Sequence, residues 1–177
     1  MSMKRTILFI ILVCFLSGCA AGPATPPGAV DSAAGRDGLA LPLAEREALC
    51  RDFILQEMVT EQGGIRTNYL ERPHVEDYAT GAEVLSESMG LVMLYAVKAG
   101  DEALFQRSLA FVEEYLDTGA IFAYRYGGGG AYHVNAFVDD IRIIGALIQA
   151  GDVFDRGYLD TAWAYGDRLY ETNIRDG

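Results

Sequence analysis

The sequence predicts an all-α chain built from paired helices, and three observations lead there. Five stretches between Leu43 and Thr172 carry apolar residues at the three- and four-residue spacing that lines one face of a helix. Ala99-Gly100-Asp101 returns 51 residues on as Ala150-Gly151-Asp152, each time after an apolar helix and before another. Glycine-led extended pieces recur at Gly63/Ile65 and Gly119/Ile121. A repeated helix pair cannot bury its apolar face alone. The pairs must therefore stack, either as an open solenoid or as a closed α/α toroid.

The chain opens with Lys4-Arg5 and an apolar run, Ile7 to Leu16, too short to span a bilayer but suited to a secretory signal over residues 1–18. The run ends in Leu16-Ser17-Gly18-Cys19, which looks like a bacterial lipobox, where Cys19 is lipidated and becomes the new N-terminus. An ordinary signal peptide with a chance cysteine is the plainer alternative. Residues 19–42, rich in Ala, Gly and Pro and without periodicity, read as a flexible tether from lipid to a folded domain over 43–177. The expected location is the bacterial cell envelope, outside the cytoplasmic membrane and held there by the lipid anchor.

The first predicted helix covers Leu43 to Thr60, with Leu49, Phe53, Ile54 and Met58 at helical spacing and Cys50 read as a buried, inert thiol. Further helices are expected over Gly81 to Lys98, Asp101 to Leu116, Ala136 to Gln149 and Tyr158 to Thr172. Gly63 to Tyr69 and Gly119 to Tyr124 read as short extended links. Gly127 to Gly130 lacks the Lys-Ser/Thr of a phosphate-binding loop and reads as a loop tip.

With 177 residues, half of them apolar, the chain has material for one core. Its 25 acidic against 14 basic residues, a net charge of −11, exclude a nucleic-acid partner, because phosphate neutralisation needs Lys/Arg patches. Removing Lys4 and Arg5 with the signal makes the mature chain more acidic still, so an anionic lipid surface would not hold it without the anchor. Three cysteines without paired spacing give no disulfide framework and no zinc site, and nothing calls for a cofactor or metal.

Two segments carry candidate chemistry. In Thr80-Gly-Ala-Glu83-Val-Leu-Ser86-Glu87-Ser-Met-Gly90-Leu91, Thr80 and Glu83 fit a capping box, which gives Glu83 a structural task. Glu87 falls one turn deeper, on the stripe of Gly90, Leu91 and Leu94. A carboxylate buried there is either ion-paired or held protonated, and a protonated one is a general acid in waiting. In Tyr132-His133-Val134-Asn135-Ala-Phe-Val-Asp139-Asp140-Ile-Arg142, Asn135 suits an N-cap. That puts Asp139 and Asp140 in the first turn, where the helix dipole favours acids. Glu87 corresponds to position 138 under the 51-residue spacing, so the two segments fall at comparable places in successive hairpins.

His74 and His133 read as surface residues, and neither a nucleophile elbow nor an HExxH motif is present. Tyr69, Tyr78, Phe122, Tyr124, Tyr126 and Tyr132 gather near the same loops. Such rings suit the apolar faces of sugars, and core packing suits them as well.

Ser86-Glu87-Ser88-Met89-Gly90 with Met93, and Asp140-Ile-Arg-Ile-Ile-Gly-Ala-Leu-Ile-Gln-Ala150, resemble two motifs of glycoside hydrolase family 8, in order, over roughly Gly63 to Asp152. The resemblance implies an (α/α)6 barrel and inverting hydrolysis of a β-linked polysaccharide. Glu87 would be the general acid, and Asp140, beside Asp139, would hold a sugar in the cleft. Tyr69, Tyr124 and Tyr126 would be further substrate contacts. Two departures stand out. Ser88-Met89 replaces the family's Gly-Gln, and the acids are adjacent where the family spaces them by one residue. Residues 43–177 supply about half of a six-hairpin barrel at the 51-residue spacing. No residue matches the distant base that an inverting pair needs, so the reading is of a truncated relative. The competing class is a non-enzymatic α-solenoid lipoprotein that binds a glycan or protein partner, with Glu87 and Asp140 as pair formers and Arg125 or Arg142 as their partners. A lyase or unsaturated-sugar hydrolase on a similar toroid is a third reading.

Overall fold

The structure, a computed structural model, describes residues 41–70, 79 and 81–173. The signal segment, Cys19, nearly all of the tether, His74, Tyr78 and Thr80 lie outside the described residues. The chain divides into two compact units, Met1–Gln56 and Glu57–Gly177. Helix α1, Leu43–Glu57, makes up nearly all of what is described of the first unit, and none of its residues is buried. Cys50 is accordingly exposed, not the buried thiol the spacing suggested, and Leu49 and Phe53 of the same face are exposed with it.

The second unit is the all-α body the periodicity predicts. Helix α2 spans Ser86–Ala99 and α3 Glu102–Phe111. The chain continues from α3 as a π-helical turn, Val112–Leu116. Helix α4 is Phe137–Val153 and α5 Gly157–Asn173. Helices α2 and α3 form one hairpin and α4 and α5 a second, with α2 packed along α4. Met89 and Met93 of α2, Phe105 and Phe111 of α3, and Ile143, Ile144 and Leu147 of α4 meet in the core, none more than 1% exposed. Each such burial removes about 1.5–3 kcal/mol of unfavourable hydration. The Phe105 ring ties α3 to the second hairpin, edge-on to Tyr158 at 5.0 Å.

A small antiparallel sheet of order β1-β2-β3 joins the hairpins: β1 Val84–Leu85, β2 Arg125–Gly127 and β3 Gly130–Ala131. It explains why α2 starts five residues later than the pattern suggests. The Glu83 carbonyl accepts the Thr67 amide at 2.9 Å, Val84 and Leu85 pair with Tyr126 and Arg125, and the Ser86 amide donates to the Tyr124 carbonyl at 3.0 Å. Leu85, with extended backbone, is the N-cap. Glu83 therefore precedes the helix, and its Oε2 accepts the Gly81 amide at 3.1 Å. The glycine loop proves to be the turn of the β2–β3 hairpin, closed by Gly127 and Gly130.

The two Ala-Gly-Asp corners share letters but not structure. Gly100 caps α2 in the left-handed region at φ 69°, and the Asp101 side chain then caps α3 by accepting the Leu104 amide at 3.0 Å. Gly151 and Asp152 lie inside α4. A Cβ at Gly151 would stand 2.5 Å from Leu159 of α5, so that glycine permits close packing rather than a turn.

Candidate active site

Helices α2 and α4 run parallel with their first turns side by side. Strand β1 leads directly into α2, and the β2–β3 hairpin lies just upstream of α4, so the sheet brings the two helix starts together. Ser86, fully buried, donates its hydroxyl to Asp139 Oδ2 at 3.3 Å and to the Tyr124 carbonyl at 3.2 Å. One turn further on, Arg142 Nη1 lies 2.5 Å from Asp139 Oδ1 and 3.6 Å from Glu87 Oε1. Ser86, Asp139, Arg142 and Glu87 thus form a polar chain across the seam between the two helices.

Glu87 is not the buried carboxylate expected of it. Its side chain is 52% exposed, and Leu91, one turn on, is exposed too, because this stripe of α2 faces the open side of the helix pair. The buried glutamate is Glu83, 1% exposed. Its Oε1 lies 4.0 Å from Nη1 of Arg125, itself fully buried with its guanidinium 3.7 Å from the Tyr132 ring centroid.

The adjacent acids diverge as the helix geometry requires. Asp139 faces Arg142 and Ser86. Its pKa is raised, chiefly by burial and further by Glu87, with Arg142 and the Ser86 hydrogen bond opposing. Asp140 is fully buried on another side of the helix, and its Oδ2 accepts from Asn135 Nδ2 at 3.0 Å. Burial pushes its carboxyl up to about 6, Asp139 adds to this, and Asn135 and Arg168 oppose it. The Asp140 carboxyl is enclosed and turned to Asn135. Asn135 is not the helix N-cap. Ala136 is, and the Asn135 amide spans Asp140 and, at 3.2 Å, Asn173 of α5.

The tyrosines separate in the same way. Tyr124 reaches the seam through its carbonyl. Tyr126 packs against Tyr115 and Phe111, at 5.0 and 5.9 Å between centroids. Tyr69 is half exposed in the loop after Arg66, and His133 is exposed as expected. The residue that sequence reasoning undervalued is Arg142. Its signal was the three-residue spacing from Asp139, which places the two on one helix face. Gly90 is the other: a Cβ there would come within 3.3 Å of the Arg142 stem. Among the described residues, no three His, Cys, Asp or Glu side chains converge as a metal site would require, and no helix is long and apolar enough to cross a membrane.

No family model matches the chain. Its sequence is similar to a candidate lipoprotein of Bacillus subtilis (strain 168), YdaJ, at 28% identity over 176 residues, which cover 98% of this chain and 45% of that one. Its fold is similar to a solved structure described as a novel alpha-amylase from Clostridium perfringens, with a TM-score of 0.61 and 32% identity over 68% of this chain and 36% of that one. A second similar structure is PssZ from Listeria monocytogenes, with a TM-score of 0.53 and 22% identity, covering 69% and 35% of the two chains. The chain spans less than half the length of each. The helical body thus shares its fold with part of a glycosidase, and the whole sequence resembles a lipoprotein.

Proposed function

We propose that this chain belongs to a lipid-anchored glycoside hydrolase of the bacterial envelope, built on an (α/α)6 toroid and acting on a polysaccharide with inversion. The observation that carries the reading is the position of Glu87. It is a solvent-reachable carboxylate at the first turn of α2, across the seam from α4, in a fold similar to that of an alpha-amylase. Glu87 is the general acid, delivering a proton to the departing glycosidic oxygen. Asp139 lines the seam, Tyr124 and Tyr69 offer ring faces to the sugar, and Cys19 carries the lipid. Asp140 supports α4 from behind. An inverting enzyme also needs a carboxylate base separated from the acid by room for a water, and none is assigned within this chain.

The test uses the native lipoprotein from its host, assayed on soluble starch and on β-linked glucan, xylan and chitosan. Glu87→Gln should abolish reducing-sugar release from whichever glycan is cut and leave glycan binding intact. Retained turnover rejects Glu87 as the acid. A second reading, a glycan-binding lipoprotein without hydrolysis, is favoured by one fact: Asp139 and Asp140 are engaged inside the protein rather than turned to a water. Saturable binding with no product from any of these glycans would select it.

A further inference from the structure

We propose that Arg142 is a positioning residue for Glu87, fixed by Asp139 so that it orients the Glu87 carboxyl without neutralising it. This rests on the reading of Glu87 as a proton donor, but the contacts stand apart from it. The arginine sits between unequal partners. Its Nη1 is at 2.5 Å from Asp139, whose side chain is 11% exposed, and at 3.6 Å from Glu87, whose side chain is 52% exposed. The nearer, drier carboxylate holds the guanidinium more tightly, because attraction rises as distance and dielectric fall, and its negative charge offsets part of the arginine's field at Glu87. Asp139 is itself held from the other side by the buried Ser86 hydroxyl.

This asymmetry resolves a conflict. An arginine alone beside a glutamate favours the ionised form, the wrong state for an acid that must hold a proton. An arginine already bound to Asp139 can offer Glu87 a direction while contributing little net charge. When Glu87 gains or loses its proton, the contact at 2.5 Å survives and only the one at 3.6 Å changes. Glycine at position 90 fits this arrangement, since a Cβ would lie 3.3 Å from both Cβ and Cγ of Arg142 and 3.5 Å from its Cδ. Among the other charged groups nearby, Asp140 turns to Asn135 and Arg125 to Glu83.

The experiment follows the Glu87 side-chain carboxyl by carbon NMR across pH in the folded chain, with Glu87→Gln identifying the signal. Asp139→Asn leaves the arginine charge uncompensated beside Glu87 and should move its titration to lower pH. Arg142→Gln removes the nearer charge and leaves Asp139 uncompensated, so it should move the titration the other way, to higher pH, and Arg142→Lys should stay close to the parent because the charge is kept. Shifts in the same direction from Asp139→Asn and Arg142→Gln, or no effect of either, overturn the proposal. If Asp139→Asn fails to fold, Gly90→Ala displaces the Arg142 stem with every charge retained. It should shift the same signal, and an unmoved signal then counts against the proposal. Turnover by Glu87→Gln decides separately whether Glu87 is an acid at all, so the two readings fail by different measurements.

Discussion

Glu83 and Glu87 are four residues apart, and each faces an arginine from the second half of the chain, yet their settings are opposite. Glu83 and Arg125 have side chains 2% and 0% exposed, under the Tyr132 ring and beside the small sheet. Glu87 and Arg142 are 52% and 26% exposed, and their contact is shared with Asp139. The sealed pair is a structural member, because neither charge has water to fall back on. The open pair can lose or gain a proton at little structural cost. Similar residues at one helix start are thus divided between holding the fold and meeting solvent, and the division follows from which side of β1 and α2 each faces.

Breaking the sealed pair should have the largest effect. Arg125→Met leaves Glu83 buried without its cation and should cost about 3–5 kcal/mol in urea unfolding. Adding Glu83→Gln should recover part of that loss, and no recovery would mean that Arg125 matters through its aromatic contacts alone. Asp140 comes next. Its folded carboxyl titrates at about 6 against an ordinary 3.8, so the folded state holds the extra proton between those values. The contribution of Asp140 to stability is then fullest below about pH 4 and falls as pH rises towards 6, by at most about 3 kcal/mol. Asp140→Asn should flatten most of that slope, leaving a smaller one of the same sign from Asp139. An unchanged slope would assign it to another group.

Two glycines sharpen the contrast. A Cβ at Gly127 would stand 2.9 Å from Glu83 Cγ, on backbone at φ 155°, so Gly127→Ala should cost about 1–3 kcal/mol. Gly90→Ala meets only the adjustable stem of Arg142 and gains helix propensity of up to about 1 kcal/mol, so its melting temperature should barely move. The smallest change belongs to Glu87→Gln, expected within about 1 kcal/mol of the parent. A large loss there would place Glu87 with the sealed pair after all.

The helices were legible because apolar residues at helical spacing mark a helix, and in four of the five that stripe is also buried. Which glutamate would be sealed was not. Helical periodicity puts Glu87 on the stripe of Leu91 and Leu94, but Glu83–Leu85 are drawn into strand pairing by residues some forty positions later, which no local pattern reveals. Cys50 misled for a related reason: apolar spacing shows that a helix has a face, not that anything covers it. The adjacent acids were legible as a pair and illegible as individuals, since their separate fates depend on Arg142, Ser86 and Asn135.

The unequal Ala-Gly-Asp corners have a consequence for how the molecule tolerates change. Helix α4 has 17 residues and α2 has 14, and the first residue of α2, Ser86, is bonded to Asp139, the third of α4. At the far end Gly100 has open space around it and Val153 is exposed. Insertions and deletions can therefore be absorbed at that open end, while the end tied by the Ser86 bonds to Asp139 and Tyr124 admits almost none. Among natural variants of this chain, length differences should collect around Gly100 and Val153, and the span from Glu83 to Gly90 should keep its count.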